Sequence, residues 1–161
     1  MKKICFIGAS TVEGVGDDTG QGWTSRLVAK KLAQGNPVVP YYLGVRGQTL
    51  AQISSRAKYE CQVRITSIDN DLIVLGTGVN DISRIDGKPR TDRLETIEIF
   101  SRLISELKLL CRLIVVGPLP VYEPKMPFYS AVNDLYLDYK NEDITLMSKE
   151  YAEICASEDT P

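Results

Sequence analysis

Short apolar runs alternate with longer amphipathic stretches along the whole chain. Ile4 to Ile7 reads as a buried strand, and Trp23 to Ala33 as a helix, with Leu27, Val28 and Leu32 at helical spacing and Gly35 placed to cap its end. Val38, Val39, Tyr41 and Tyr42 predict a second strand. Pro40 inside it has no N–H for the ladder, which favours a strand end or a sheet edge. Leu50 to Ile65 predicts a second helix with Ile53, Ala57 and Cys61 on one face. Leu72 to Leu75 and Leu113 to Val116 are unbroken apolar runs, as parallel strands covered on both faces require. Between them, Leu94, Ile97, Leu103, Ile104, Leu107 and Leu110 recur at three- and four-residue steps and predict a helix over Thr91 to Leu110. A last helix starts at Asn141 or Asp143 and ends near Ala156, carried by Ile144, Met147, Tyr151 and Ile154, with acidic residues early as the helix dipole prefers. Pro118, Pro120, Pro124 and Pro127 predict one long irregular segment after the fourth strand, and such segments in compact domains are often functional.

Strands alternating with helices imply right-handed crossovers, a parallel sheet and helices on both of its faces, all within one domain spanning 1–161. Ligands of such sheets bind beyond the carboxyl ends of the strands. The residues that follow each strand are therefore where chemistry is expected.

Composition narrows the choice. Nineteen Lys and Arg stand against 21 Asp and Glu, a net charge of −2, so there is no basic stripe for a phosphate backbone, and no aromatic-basic interleaving accompanies it. Nucleic acid is excluded as an expected partner. The opening Met1-Lys2-Lys3 and apolar Ile4 to Ile7 resemble a leader superficially, but Gly8, Glu13, Asp17 and Asp18 break the run too early. Nothing approaches the roughly 18 apolar residues of a membrane span, and a cytoplasmic location is expected. Cys5, Cys61, Cys111 and Cys155 are widely spaced, with no C-x-x-C pair and no histidine to complete a zinc site. Four reduced, mostly buried thiols, no metal and no cofactor are expected. The chain contains no histidine at all, which removes the usual general base from any hydrolytic scheme.

Three strand-following segments carry candidate chemistry. Gly8-Ala9-Ser10 places a serine two residues past the first strand, where its hydroxyl suits a nucleophile; the plainer reading is that Ser10 or Thr11 caps a helix. Gly8, Gly14 and Gly16 match neither the dinucleotide fingerprint nor a P-loop. Leu43-Gly44-Val45-Arg46-Gly47-Gln48-Thr49 offers two glycines whose N–H groups can face a developing oxyanion, although such turns are commonplace. Gly78-Val79-Asn80-Asp81 offers a side-chain amide for the same oxyanion, or merely an Asx turn or cap.

In order and spacing the three segments resemble the SGNH hydrolase family, also called GDSL-type esterases and lipases, over essentially the whole chain. The resemblance implies a flavodoxin-like three-layer α/β/α sandwich and a serine esterase or acylhydrolase acting on small-molecule carboxylic esters. It makes Ser10 the nucleophile and, through its own N–H, part of the oxyanion hole. Gly47, with Gly44 as the alternative, and Asn80 supply the other donors. Gly44, Arg46 and Asp81 are expected at the substrate, Arg84 and Pro118 to Phe128 around the pocket, and Trp23 in packing of the first helix. Ala9 stands where the family usually has Asp. The family's closing Asp-x-x-His block has no counterpart here, and a fifth strand and final helix are expected to be missing as well. The chain is therefore expected to be a C-terminally shortened form, inactive by itself and prone to associate through the open edge of its fourth strand. A binding protein that recognises acyl or acetyl groups without cleaving them is the rival reading, and a nucleotide or flavin binder of the same architecture a weaker one.

Overall fold

The computed structural model describes residues 1–161. In chain order the elements are β1 (Lys2–Gly8), α1 (Ser10–Glu13), α2 (Gly22–Ala33), β2 (Val38–Gly44), α3 (Leu50–Gln62), β3 (Leu72–Gly76), β4 (Arg84–Ile85), β5 (Lys88–Pro89), α4 (Arg93–Lys108), β6 (Arg112–Val116), β7 (Phe128–Ser130), β8 (Leu135–Leu137) and α5 (Asn141–Ser157). A 3-10 turn, Glu123–Lys125, lies between β6 and β7. The long apolar strands form one parallel sheet in the order β2-β1-β3-β6.

Alternation along the strands sorts the core into two halves. Cys5 and Ile7 of β1 and Ile73 and Leu75 of β3 face α3, α4 and α5, which contribute Leu50, Ile53, Phe100, Leu103, Ile104, Met147 and Tyr151. Phe100 and Tyr151 stack with ring centroids 3.8 Å apart and lock α4 to α5. Full burial of Leu103 or Ile104 contributes about 1.5–3 kcal/mol each, so this face holds most of the apolar stabilisation. Ile4, Phe6 and Val74 face the other way, toward Val12, Trp23 and Val28. Trp23 meets Phe6 edge-on at 5.8 Å, the packing role expected of it. The short α1 and α2 cover this second face only in part, and a groove of about 710 Å³ lined by Ile4, Phe6, Leu27, Leu72, Ile114 and Val116 remains open beside them.

β2 is an edge strand, which is why Pro40 is tolerated within it. β6 forms the opposite edge; there the Val115 N–H donates to the carbonyl of Pro161 at 2.9 Å. Caps fix the helix starts. Asp92 accepts the Glu95 N–H at 2.9 Å, and Thr49 with Gln52 closes a capping box on α3. α3 stops at Gln62 rather than Ile65. Beyond it the Asp71 carboxylate accepts the N–H groups of Thr66, Ser67 and Lys3 and bends the chain into β3.

The expectation of one irregular stretch after β6 needs correcting. It contains the 3-10 turn and the antiparallel β7–β8 hairpin, and a second hairpin, β4–β5, follows β3. These strands run two or three residues, too short for a period-2 pattern to show. The Asp134 backbone is left-handed at the β7–β8 turn (φ +53°), which Asp tolerates better than most residues.

Candidate active site

The carboxyl ends of three neighbouring strands finish on glycines that lie side by side: Gly44 of β2, Gly8 of β1 and Gly76 of β3 are register partners. The absent side chains make room for the single turn of α1. A Cβ on Gly8 would stand 2.1 Å from the Gly76 carbonyl oxygen and 2.6 Å from Val12 Cγ2, and one on Gly44 would stand 2.4 Å from the Glu13 nitrogen. α1 thus rests directly on the sheet's upper edge, with Val12 buried beneath it, and Ser10 is presented at its start.

Ala9 is the cap residue of α1 and Ser10 the first helical one. The hydroxyls of Ser83, Ser105 and Ser157 donate to carbonyls three or four residues back, whereas Ser10 Oγ makes no such bond and faces a cleft. The capping reading therefore does not describe it. As the first residue of a helical turn, Ser10 also has a backbone N–H without an intrahelical acceptor.

Ser10, Gly47 and Asn80, from the ends of β1, β2 and β3, line the same cleft of about 560 Å³. The Gly47 backbone is left-handed (φ +71°) and passes beneath Asn133 and Val132 of the β7–β8 turn, an approach that a side chain would strain. Two contacts pin its neighbourhood. Arg90 Nη2 donates to the Gly47 carbonyl at 3.0 Å, and Asn80 Nδ2 donates to the Gln48 carbonyl at 2.8 Å. Asn80 is buried, and its Oδ1 lies 3.5 Å from the Tyr139 hydroxyl, which fixes which end of the amide is nitrogen. One amide hydrogen is committed to Gln48; an NH₂ group carries a second.

Other expected residues fall elsewhere. Gly44 lies beneath α1 and not on the cleft wall. Arg46 reaches the cleft's rim, where its Nε donates to Glu13 at 2.9 Å. Asp81 turns away: both of its oxygens accept the Leu50 N–H, at 2.8 and 3.1 Å, at the start of α3. Burial pushes its carboxyl up to about 6, against the opposing pull of that N–H and of Arg90. Asp81 borders a separate, smaller cavity of about 90 Å³ with Arg84, and Arg84 is paired with Asp143 at 2.6 Å. Asp17 is held by Thr19, Gly22 and Arg26. No carboxylate lines the cleft that holds Ser10. Leu119, Pro120, Val121, Met126 and Phe128 do line it, as expected of the segment after β6.

Two arginines were not marked by the sequence. From α3, Arg56 Nη2 donates to the Gly8 carbonyl at 2.9 Å and the Leu43 carbonyl at 3.1 Å, while its Nε holds Gln48 Oε1 at 2.8 Å. It ties together the ends of β1 and β2 just before the Ser10 turn. Arg90 does the same for the Gly47 turn. A cue existed for Arg56, which lies three residues after buried Ile53 on the border of the apolar face; none marked Arg90.

A parallel α/β/α sandwich with a partnerless serine at the strand ends, flanked by a glycine turn and an asparagine amide, defines an SGNH-type hydrolase fold. The chain belongs to the GDSL-like lipase/acylhydrolase family, whose profile matches residues 6–158. Solved structures share the fold. A lipase/acylhydrolase from Enterococcus faecalis is 22% identical with a TM-score of 0.75, covering 100% of this chain and 74% of its own. The acetylxylan esterase Axe2 from Geobacillus stearothermophilus is 14% identical with a TM-score of 0.72, covering 99% and 74%. TesA is 18% identical with a TM-score of 0.72, covering 99% and 76%. No curated protein matches the chain. No helix is long and apolar enough to cross a membrane.

Proposed function

We propose that this chain carries the nucleophile and oxyanion hole of a serine esterase. The observation that supports it is the convergence of Ser10, Gly47 and Asn80 on one cleft from three strand ends. In this reading Ser10 Oγ attacks the ester carbonyl carbon and its proton passes to a base. The carbonyl oxygen gains negative charge and is held by the N–H groups of Ser10 and Gly47 and by the second hydrogen of Asn80 Nδ2. Collapse expels the alcohol, which takes the proton, and water repeats the sequence to release the acid.

The base is not among these 161 residues, which contain no histidine, and we assign it to an Asp-x-x-His segment outside them. By themselves the 161 residues are then nearly silent toward esters, because no group at the cleft can take the serine proton at neutral pH. The test is covalent trapping. A fluorophosphonate incubated with the protein made from its complete gene forms an Oγ–P bond at Ser10 with loss of fluoride, and peptide mass spectrometry locates the adduct. An adduct on Ser10 that is absent from Ser10→Ala supports the reading. An unmodified Ser10 overturns it in favour of a site that recognises acyl groups without cleaving them.

A further inference from the structure

We propose that the ester taken by this cleft is uncharged and carries an extended apolar group, of hexanoyl size rather than acetyl, and is not borne on a sugar. The inference rests on the hydrolase reading above and assigns its substrate class.

The lining is mostly apolar. Ser10 and the Asn80 amide are the groups that would meet an ester carbonyl, and Val79, Leu119, Val121, Met126, Phe128 and Val132 line the same cleft. Thr11, at the start of α1, leaves its hydroxyl free, but the other polar side chains on that lining are already engaged. Arg46 is held by Glu13, and the Tyr129 hydroxyl donates to Asp134 at 2.5 Å. Asn133 Nδ2 donates to Ser130 Oγ at 2.8 Å, and its Oδ1 lies 3.5 Å from Arg90 Nη2. The Tyr139 hydroxyl faces Asn80 Oδ1. No Asp, Glu or Lys lines the cleft. A sugar would bring several hydroxyls into a wall that offers them few free partners, and each would lose its water without replacement.

Size and charge point the same way. A cleft of about 560 Å³ lies within the roughly 300–1,000 Å³ range of pockets that enclose extended ligands, far more than the two carbons of an acetyl group fill. Arg46 is the one charged side chain that these 161 residues place on the lining, and its guanidinium is matched by Glu13, so none of them selects an acidic substrate. The wall also continues outward. Leu119 and Val132 are 57% and 58% exposed at the cleft, giving the far end of a chain an apolar surface as it leaves the cleft. Each further methylene moved from water against such a wall strengthens binding about fourfold when fully buried.

The test is an NMR titration of the ¹⁵N-labelled Ser10→Ala protein made from its complete gene, which binds without turnover, with methyl acetate, methyl hexanoate and a monoacetylated methyl xyloside, whose remaining hydroxyls are free. Methyl hexanoate is expected to bind at least about tenfold more tightly than methyl acetate, with the largest shifts at Val79, Val121 and Val132. Val132→Asp, at an exposed position, and Phe128→Asp are expected to abolish that preference while leaving the amide spectrum dispersed. Equal affinities for the two methyl esters, or tighter binding of the acetylated sugar, overturn the proposal. The fluorophosphonate experiment separates the two levels. A labelled Ser10 with no chain-length preference leaves the hydrolase standing and sinks the substrate class. Selective hexanoate binding with an unlabelled Ser10 sinks the hydrolase reading, and the substrate claim with it.

Discussion

Arg90 Nη2 donates to the carbonyl of Gly47 across 43 residues of chain, at 3.0 Å. With Asn80 on the next carbonyl, this holds the glycine turn in its left-handed conformation beside Ser10. Removing the donor leaves a partly buried carbonyl unpaired, at a cost of about 1–3 kcal/mol. Arg90→Met is therefore expected to lower the urea midpoint by that amount with little change in slope, and to reduce ester turnover as the Gly47 N–H loses its alignment. An unchanged midpoint would mean that Arg90 does not support the turn.

One amide hydrogen of Asn80 anchors Gln48, and the proposed reaction assigns the other to the oxyanion. Asn80→Ala is expected to lower kcat by about 10²–10³ with a much smaller effect on KM, because the lost bond forms in the transition state. Initial rates over a substrate series measure the split. A rise in KM at constant kcat would assign Asn80 to ground-state binding instead.

The row of glycines beneath α1 leaves no space for a methyl group. Gly44→Ala places a Cβ 2.4 Å from the Glu13 nitrogen and 2.9 Å from the Ala9 carbonyl oxygen, so the turn carrying Ser10 must lift. A loss of about 1–3 kcal/mol is expected from the overpacking, read by chemical denaturation. Wild-type stability in this variant would show that α1 is not seated as described.

Buried Asp81 gives the fold a pH dependence. Its carboxyl is raised from 3.8 to about 6, so between those values the folded chain binds more protons at this site than the unfolded one. Stability contributed here is present at acid pH and is lost as pH rises through about 6. A shift of that size corresponds to about 3 kcal/mol, at about 1.4 kcal/mol per unit. Asp81→Asn keeps an oxygen for the Leu50 N–H and removes the charge, so its stability is expected to vary less between pH 4 and 7. Matching pH profiles for the two proteins would exclude the assignment.

The four sheet strands and the four long helices were legible because each carries an unbroken apolar run or a 3.6-residue stripe long enough to read. Pro40 even marked the edge. Ser10, Gly47 and Asn80 could be marked as candidates because each comes within four residues of a strand's end, where an open parallel sheet puts its ligand. The short hairpins were not, since two or three residues carry no period. Arg56 and Arg90 escaped for a different reason. Their partners, Gly8, Leu43 and Gly47, are backbone carbonyls brought near only by folding, and no local pattern records a long-range bond to a carbonyl. Asp81 misled because its place beside Asn80 in the chain says nothing of its direction; the start of α3 claims it.

The central claim is that Ser10 attacks the ester. Its most direct test is the rate of methyl hexanoate hydrolysis by the protein made from its complete gene, compared with the Ser10→Ala variant of the same protein. The account predicts a loss of about 10³-fold or more, of the order seen when a serine nucleophile is removed. Turnover that survives the substitution would contradict it.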